Sequence, residues 1–237
     1  MLPYFKLGDS FILYSYPIML GMALFASKHA FEKMLNTYEI NLPQLRKNIL
    51  IFSLISSCFV GAKILFILSQ NAVPMEKLTL NPSFWLGGGL VYYGAPILSF
   101  FIILFFSKVF KIKFNKLLAA FLMAISIGHA FGRIGCFLAG CCFGDLFHLP
   151  VQMIESVYLF GLFIVLTKYF LKHPNKIIFI YFLFYPIFRF LIEFVRQDPI
   201  RGEVFNLSTS QFLSLLIIFL LLTYVKIFTR HLDRDQS

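Results

Sequence analysis

Four residues of one segment share a helical face and suit the binding of a phosphate group. His129, Arg133, Cys136 and Gly140 are spaced at i, i+4, i+7 and i+11, so a helix would place them on the same side. A guanidinium group offers a bidentate fork to phosphate oxygens, and neighbouring glycines let the backbone approach a ligand closely. The alternative interpretation is a packing helix whose arginine has only a structural role.

A second polar stripe lies on an otherwise apolar segment. Tyr185, Arg189 and Glu193 follow one another at four-residue spacing, and Arg196 adds a further cation. Arg189 and Glu193 can pair across one helical turn. One interpretation is that the two residues only neutralise each other's charge inside a helix bundle. The tyrosine and the additional arginine favour a ligand site instead.

Ionisable residues within apolar segments are costly, and they commonly face a bundle interior or a water-filled cavity. Lys63, Arg133 and Arg189 lie within such segments, and together with Glu193 and Arg196 they gather towards one end of them. We expect this cluster to mark a functional site. Snorkelling of long cationic side chains at helix ends is the alternative, and it explains Lys63 and Arg196 better than the other two cations.

The four cysteines do not match a familiar metal site. Cys141 and Cys142 are adjacent, so they cannot form an ordinary unstrained disulfide. The spacing from Cys136 through this pair to His148 fits no standard zinc pattern. We therefore do not expect these residues to bind a metal.

The amino-acid composition indicates which kind of protein carries these polar residues. Of the 237 residues, 59% are hydrophobic and only 14% are charged, whereas soluble domains have about 45–50% apolar and about 25% charged residues. This balance excludes a disordered chain and a disulfide scaffold. It also makes nucleic-acid binding a poor account of the net charge of +10. The composition predicts an all-α integral membrane protein.

Seven stretches approach the roughly 20 apolar residues that a membrane-spanning helix needs. Residues 1–237 are therefore expected to form a single polytopic membrane domain. The predicted helices are 11–27, 49–70, 84–107, 117–139, 153–167, 177–195 and 207–225.

The cations are distributed unequally between the two sides of these stretches. Fourteen of the 21 Lys and Arg residues fall on the side of the C-terminal tail, and four fall on the side of the N-terminus. The positive-inside rule then predicts that the N-terminus lies outside and the C-terminus lies in the cytoplasm. The active site would consequently lie towards the outer leaflet.

The segment Gly132–Gly144, which reads GRIGCFLAGCCFG, resembles the signature of bacterial prolipoprotein diacylglyceryl transferases. Further matches follow in order along the chain, from about Tyr14 to Gln211. They are Gly61–Lys63, Gly88–Gly94, Pro150–Glu155, Arg189–Asp198 and Leu207–Gln211.

The resemblance implies a membrane enzyme with seven transmembrane helices in the bacterial cytoplasmic (inner) membrane. Such enzymes transfer the diacylglyceryl group of phosphatidylglycerol to the lipobox cysteine thiol of a prolipoprotein, which is the first step of lipoprotein maturation. They release glycerol phosphate. The implied partners are phosphatidylglycerol, prolipoprotein signal peptides with a lipobox cysteine, and membrane lipids. No cofactor, metal or nucleic acid is implied.

By the same resemblance, Arg133 and Arg189 are the arginines that handle the phosphate, and Tyr93 and Glu193 are the other expected catalytic positions. Tyr14, Tyr185 and Gly144 also correspond to positions that matter in the family. With the rest of the polar cluster, the expected substrate-binding residues are Tyr14, Lys63, His129, Arg133, Gly144, Tyr185 and Arg196.

The chain departs from the family at Tyr93, where well-studied members carry a histidine. A neutral tyrosine is a poor base near neutral pH. The candidate proton acceptors are His129, Glu193 and a tyrosinate favoured by the arginines. We expect Tyr93 to orient the lipid or the thiol, with deprotonation shared by water and the electric field of the arginines. The alternatives to the family activity are a paralogue with another acceptor and a non-enzymatic protein that binds anionic lipid through the same arginines.

The charge distribution gives a direct test of topology. Single cysteines introduced into a variant without native cysteines should react with an impermeant thiol reagent when placed in segment 140–150. Cysteines placed in segments 108–116 and 168–176 should be protected until the membrane is opened, because the cation-rich side stays in the cytoplasm. Protection of segment 140–150 in intact cells would contradict the predicted orientation.

Overall fold

The computed structural model describes residues 4–7, 11–69, 90–141, 150–196, 203–204 and 207–234. Within these residues the chain forms seven α-helices and two short antiparallel hairpins. The helices are α1 (Ser15–Thr37), α2 (Gln44–Ser69), α3 (Gly94–Val109), α4 (Phe114–Ala139), α5 (Val151–Phe170), α6 (Pro174–Glu193) and α7 (Thr209–Arg234).

The fold class predicted from composition is confirmed. Helices α2, α4, α5 and α6 are long and apolar enough to cross a membrane, and α3 and the Thr209–Thr223 part of α7 are shorter apolar helices. Most helices run a few residues beyond the predicted stretches. The apolar runs end at the first charged residues, whereas helical hydrogen bonding continues through them, as in α1 at Lys28 and Lys33.

Three predicted helix starts differ from the structure. Residues Phe11–Tyr14 form a strand, β2, which pairs with β1 (Tyr4–Leu7); aromatic and β-branched residues fit a strand as well as an apolar helix. In the third stretch, which was predicted to begin at 84, the described residues Leu90–Tyr93 are not helical and α3 begins only at Gly94. The second hairpin pairs β3 (Glu203–Val204) with β4 (Leu207–Ser208) immediately before α7, so the predicted helical start at 207 is two residues early.

Helix α4 is the central element of the bundle and packs against α1, α5 and α6. Small residues allow the close contact with α1. A Cβ atom on Gly135 would lie 3.1 Å from Cβ of Met19, and one on Gly128 would overlap the hydroxyl of Ser27. That hydroxyl donates a hydrogen bond of 2.9 Å to the carbonyl of Ala124. The helix ends after Ala139 because Gly140 adopts φ 73°, a left-handed conformation that favours glycine at a helix C-terminus.

Helices α2 and α3 approach each other most closely at a pair of glycines. A Cβ atom on Gly61 would overlap the carbonyl oxygen of Gly94, and the reverse substitution would overlap the carbonyl of Gly61. Small residues of this kind let helix backbones come into contact within a membrane. The backbone N–H of Val91 also donates to the carbonyl of Ala62. This contact therefore fixes the position of the residues that precede α3.

A test of this contact is the substitution Gly61→Ala. Overpacking of a tight contact costs about 1–3 kcal/mol, so the thermal unfolding temperature of the detergent-solubilised protein should fall. The matched control is Gly161→Ala in α5, where a Cβ atom meets nothing within 4 Å and where replacing a mid-helix glycine gains up to about 1 kcal/mol. An unchanged or raised unfolding temperature for Gly61→Ala would contradict the close approach.

Candidate active site

One carboxylate, that of Glu155 in α5, contacts three arginines. Its Oε2 atom lies 2.7 Å from Nη2 of Arg133, 3.3 Å from Nη1 of Arg189 and 3.4 Å from Nη1 of Arg196. The Glu155 side chain is completely buried. The three arginines come from α4, from α6 and from the residues that follow α6, so the carboxylate joins three parts of the bundle.

The second acidic residue of the cluster is Glu193. Its Oε2 atom lies 2.8 Å from Nη2 of Arg189, one helical turn away in α6, which confirms the predicted pairing. Arg189 also donates a hydrogen bond of 3.3 Å to the hydroxyl of Ser210 in α7. The guanidinium group of Arg189 is therefore held from three helices.

Guanidinium groups are the main hydrogen-bond donors of this cluster. Arg133, Arg189 and Arg196 are all buried, and each offers five N–H donors in a planar fork. An anionic group with several oxygens, such as a phosphate, is the kind of ligand that such forks bind through charge-assisted hydrogen bonds.

His129 lies at the edge of this cluster, one turn before Arg133 on the same face of α4. Its Nε2 atom is 3.5 Å from Oε1 of Glu155. Its ring stacks on Tyr92 with a centroid distance of 4.0 Å and an interplanar angle of 13°, and it meets Tyr185 edge-on at 6.0 Å. The predicted shared face of His129 and Arg133 is confirmed, since both contact the same carboxylate.

Four tyrosines form an aromatic layer beside the charged cluster. Tyr185 packs against Tyr92, Tyr93 and Tyr181 with centroid distances of 5.1, 6.1 and 5.5 Å. The hydroxyl groups of Tyr92 and Tyr181 are 2.5 Å apart and share a hydrogen bond. Because Tyr92 and Tyr93 directly precede α3, the glycine contact between α2 and α3 positions this layer.

The hydroxyl of Tyr93 is engaged in a hydrogen-bond chain to α7. It lies 2.6 Å from the hydroxyl of Ser214, and Ser214 donates its own proton to the carbonyl of Ser210 at 2.7 Å. The Tyr93 hydroxyl is therefore the donor. The side chain is buried, with 2% of its surface exposed, so Tyr93 lies beside the cluster and contacts it through Tyr185 and the α7 serines.

The other expected site residues lie in different environments. Lys63 is completely buried in α2, whereas Tyr14 in β2 is 58% exposed and packs edge-on against Tyr4. Gly144 lies outside the described residues. Among the described residues no group of three or more His, Cys, Asp or Glu side chains could hold a metal ion.

Sequence reasoning missed the central residue, Glu155. The sequence analysis includes Glu155 only at the end of the Pro150–Glu155 match to the family. The available signal was a carboxylate on an apolar helix, which by itself indicates a functional position. Gln152, one turn earlier, was missed as well. Its amide donates a hydrogen bond of 2.6 Å to the carbonyl of Cys141, which ties the start of α5 to the end of α4.

A cavity of about 760 Å³ lies away from this cluster. It is an apolar groove between α1, α4 and α5, with Phe25, Ile127 and Phe131 in its lining. Ile127 and His129 are two residues apart, so they lie on opposite sides of α4. The groove therefore faces away from the charged cluster, and its lining is suited to lipid chains rather than to the binding of a phosphate.

A family model and individual relatives point to the same protein family. The model of the prolipoprotein diacylglyceryl transferase family matches residues 3–227. A protein of Clostridium perfringens named phosphatidylglycerol–prolipoprotein diacylglyceryl transferase 2 is 35% identical, over 90% of each chain. The protein of Clostridium tetani with the name phosphatidylglycerol–prolipoprotein diacylglyceryl transferase is 30% identical, over 95% of each chain.

The central position of Glu155 predicts a strong effect of Glu155→Gln on stability. Removing one partner of a buried ionic group costs about 3–5 kcal/mol because the remaining charges lose their compensation. The thermal unfolding temperature in detergent should fall sharply, and added inorganic phosphate should restore more of it than in the unmodified protein. The matched control is Glu193→Gln, which should cost less because Arg189 keeps its contact with Glu155. Equal and small effects of both substitutions would contradict the central role of Glu155.

Proposed function

The chain belongs to the prolipoprotein diacylglyceryl transferase family, and we propose that it transfers the diacylglyceryl group of phosphatidylglycerol to the lipobox cysteine thiol of prolipoproteins. The observation that carries this proposal is the group of three buried arginines around Glu155. Phosphatidylglycerol carries a phosphate with one negative charge, which guanidinium groups bind through charge-assisted hydrogen bonds.

The proposed reaction is a substitution at the glyceryl carbon that carries the phosphate. The sulfur of the substrate cysteine loses its proton and attacks this carbon, so that a C–S bond forms while the C–O bond breaks. The electron pair of the C–O bond stays on the phosphate oxygen, and glycerol phosphate leaves. Cations aimed at the growing charge of that oxygen stabilise the transition state.

We assign the phosphate contact to Arg133 and Arg189, which contact Oε2 of Glu155 from α4 and from α6. Glu193 holds the guanidinium of Arg189 at 2.8 Å, and Arg196 adds the third cation. Glu155 keeps the three guanidinium groups together while the site is empty. The arginine fork suits this role better than a lysine would, since it presents two N–H groups in one plane to two phosphate oxygens.

The remaining expected residues receive positioning roles in this proposal. Tyr93 orients the lipid or the thiol through its fixed hydroxyl, and Tyr185 forms the wall between it and the arginines. Lys63, Tyr14 and Gly144 are proposed substrate-binding positions on the strength of the resemblance.

We propose that the protein works in the bacterial cytoplasmic (inner) membrane with this site towards the outer leaflet. The support is the distribution of cations, of which fourteen fall on the side of the C-terminal tail and four on the opposite side. Signal peptides with a lipobox cysteine would reach the site from that leaflet.

The test uses the purified protein in vesicles of phosphatidylglycerol with a synthetic lipobox peptide. Mass spectrometry should show the addition of one diacylglyceryl group on the cysteine and the release of glycerol phosphate. The same peptide with serine in place of cysteine should remain unmodified. Binding of phosphatidylglycerol without any thioether product would reject the transferase and support a lipid-binding protein.

The arginine assignment predicts the behaviour of four variants. Arg133→Ala and Arg189→Ala should each reduce the transfer rate by roughly 10²–10³, since a lost charge-assisted contact costs about 2.7–4 kcal/mol in the transition state. Lysine at either position should restore only part of the rate because the fork is lost. Arg46→Ala is the matched control, since Arg46 is an exposed cation that contacts the ring of Phe110. Near-normal rates for both alanine variants at Arg133 and Arg189 would reject the assignment.

A further inference from the structure

We propose that His129 accepts the proton of the substrate thiol, an inference that rests on the proposed transferase activity. The sequence left the proton acceptor open between His129, Glu193 and a tyrosinate. The geometry of the cluster separates these candidates.

The two nitrogens of His129 have different environments. Nε2 faces Oε1 of Glu155 at 3.5 Å, whereas Nδ1 is buried and has no hydrogen-bond partner among the described residues. A neutral imidazole that points its Nε2–H at the carboxylate presents a lone pair at Nδ1. Buried nitrogens without a partner are uncommon in folded proteins and call for an explanation. A carboxylate that orients an imidazole whose second nitrogen takes a proton is a recurring arrangement in nucleophilic catalysis.

The ring of His129 is held in one orientation. Tyr92 stacks on one face at 4.0 Å, and Tyr92 itself is fixed by the hydroxyl contact with Tyr181. Tyr185 meets the ring edge-on. A base that is already oriented needs no rearrangement when the substrate arrives. Without substrate, the distances in catalytic hydrogen bonds are often longer than in the substrate complex.

The other candidates are engaged elsewhere. The hydroxyl of Tyr93 donates its proton to Ser214, and the carboxylate of Glu193 is paired with Arg189 at 2.8 Å. The Oε2 atom of Glu155 contacts three arginines. Within the described structure, Nδ1 of His129 and Oε1 of Glu155 both lack a hydrogen-bond partner. The three guanidinium groups at Oε2 favour the charged form of the Glu155 carboxylate over its protonated form, which makes His129 the better proton acceptor of the two.

The proposed step balances with the group transfer. The S–H bond breaks and its proton moves to Nδ1 of His129, while its electron pair stays on sulfur and forms the new C–S bond. The C–O bond to the phosphate breaks at the same time, and its electron pair stays on the phosphate oxygen. The proton then passes from His129 to the glycerol phosphate, which leaves the site with the histidine neutral again.

Among the described residues, the charged and titratable groups that face His129 come from its own helix and from three other parts of the chain. They are Arg133 on its own helix, Glu155 on α5, Arg189 and Tyr185 on α6, Arg196 after α6, and Tyr92 before α3. A pH profile of the enzyme therefore reports on His129 only when it is compared with a variant that leaves these groups in place. His129→Gln serves this purpose because its amide can keep the donor contact with Glu155.

The experiment measures the transfer rate to the lipobox peptide between about pH 6 and pH 9, across the range in which a free thiol with a pKa of about 8.5 ionises. His129→Gln should lose roughly 10²–10⁴ of the rate near neutral pH, the usual contribution of a general base. The loss should shrink as pH rises, because the thiol then ionises without help. Affinity for phosphatidylglycerol and the unfolding temperature should stay close to those of the unmodified protein.

Tyr93→Phe is the matched variant, since it removes one buried hydroxyl beside the same layer. It should lose activity modestly and keep the pH profile of the unmodified protein. A His129→Gln protein with a near-normal rate, or with an equal loss at every pH, would overturn the role of His129. Absence of transfer by the unmodified protein would instead reject the proposed function itself, so the two failures are distinguishable.

Discussion

The buried contact between one carboxylate and three guanidinium groups is the interaction on which the rest of this structure depends. Charges inside a membrane bundle are tolerated only where they are paired or face a polar cavity. Arg133, Arg189 and Arg196 all contact Oε2 of Glu155, whose negative charge offsets part of their mutual repulsion. The same carboxylate also faces Nε2 of His129 at 3.5 Å, so one side chain contacts both the arginines and the imidazole.

Packing of small residues makes this electrostatic arrangement possible. Gly128 and Gly135 bring α1 against α4, which keeps the helix that carries His129 and Arg133 in the centre of the bundle. Gly61 and Gly94 bring α2 against α3, which places Tyr92 against the imidazole. Backbone contact at four glycines therefore determines the orientation of side chains that lie on other faces of the same helices.

Local spacing explains which parts of the site could be predicted from the sequence. The pair Arg189 and Glu193 and the shared face of His129 and Arg133 follow from the helical repeat, and both are found in the structure. The role of Glu155 depends on how α4, α5 and α6 pack, and the hydrogen bond between Tyr93 and Ser214 joins residues 121 positions apart. No pattern of neighbouring residues in the sequence indicates either contact. The strand at Phe11–Tyr14 was missed because an apolar run alone does not distinguish a strand from the start of a helix.

The order of the charges along the chain also bears on how the protein enters the membrane during synthesis. Arg133 is inserted first, and an arginine at the centre of a lone helix costs about 2.5–3.5 kcal/mol on translocon scales. The next helix supplies Glu155, and α6 then arrives with Arg189 and Glu193 already paired within one turn. Arg133 can thus pair with Glu155 once α5 has been inserted, and α6 brings a pair of opposite charges of its own. Arg196 comes last, after α6, and contacts Glu155, so this cation joins a carboxylate that is already in place.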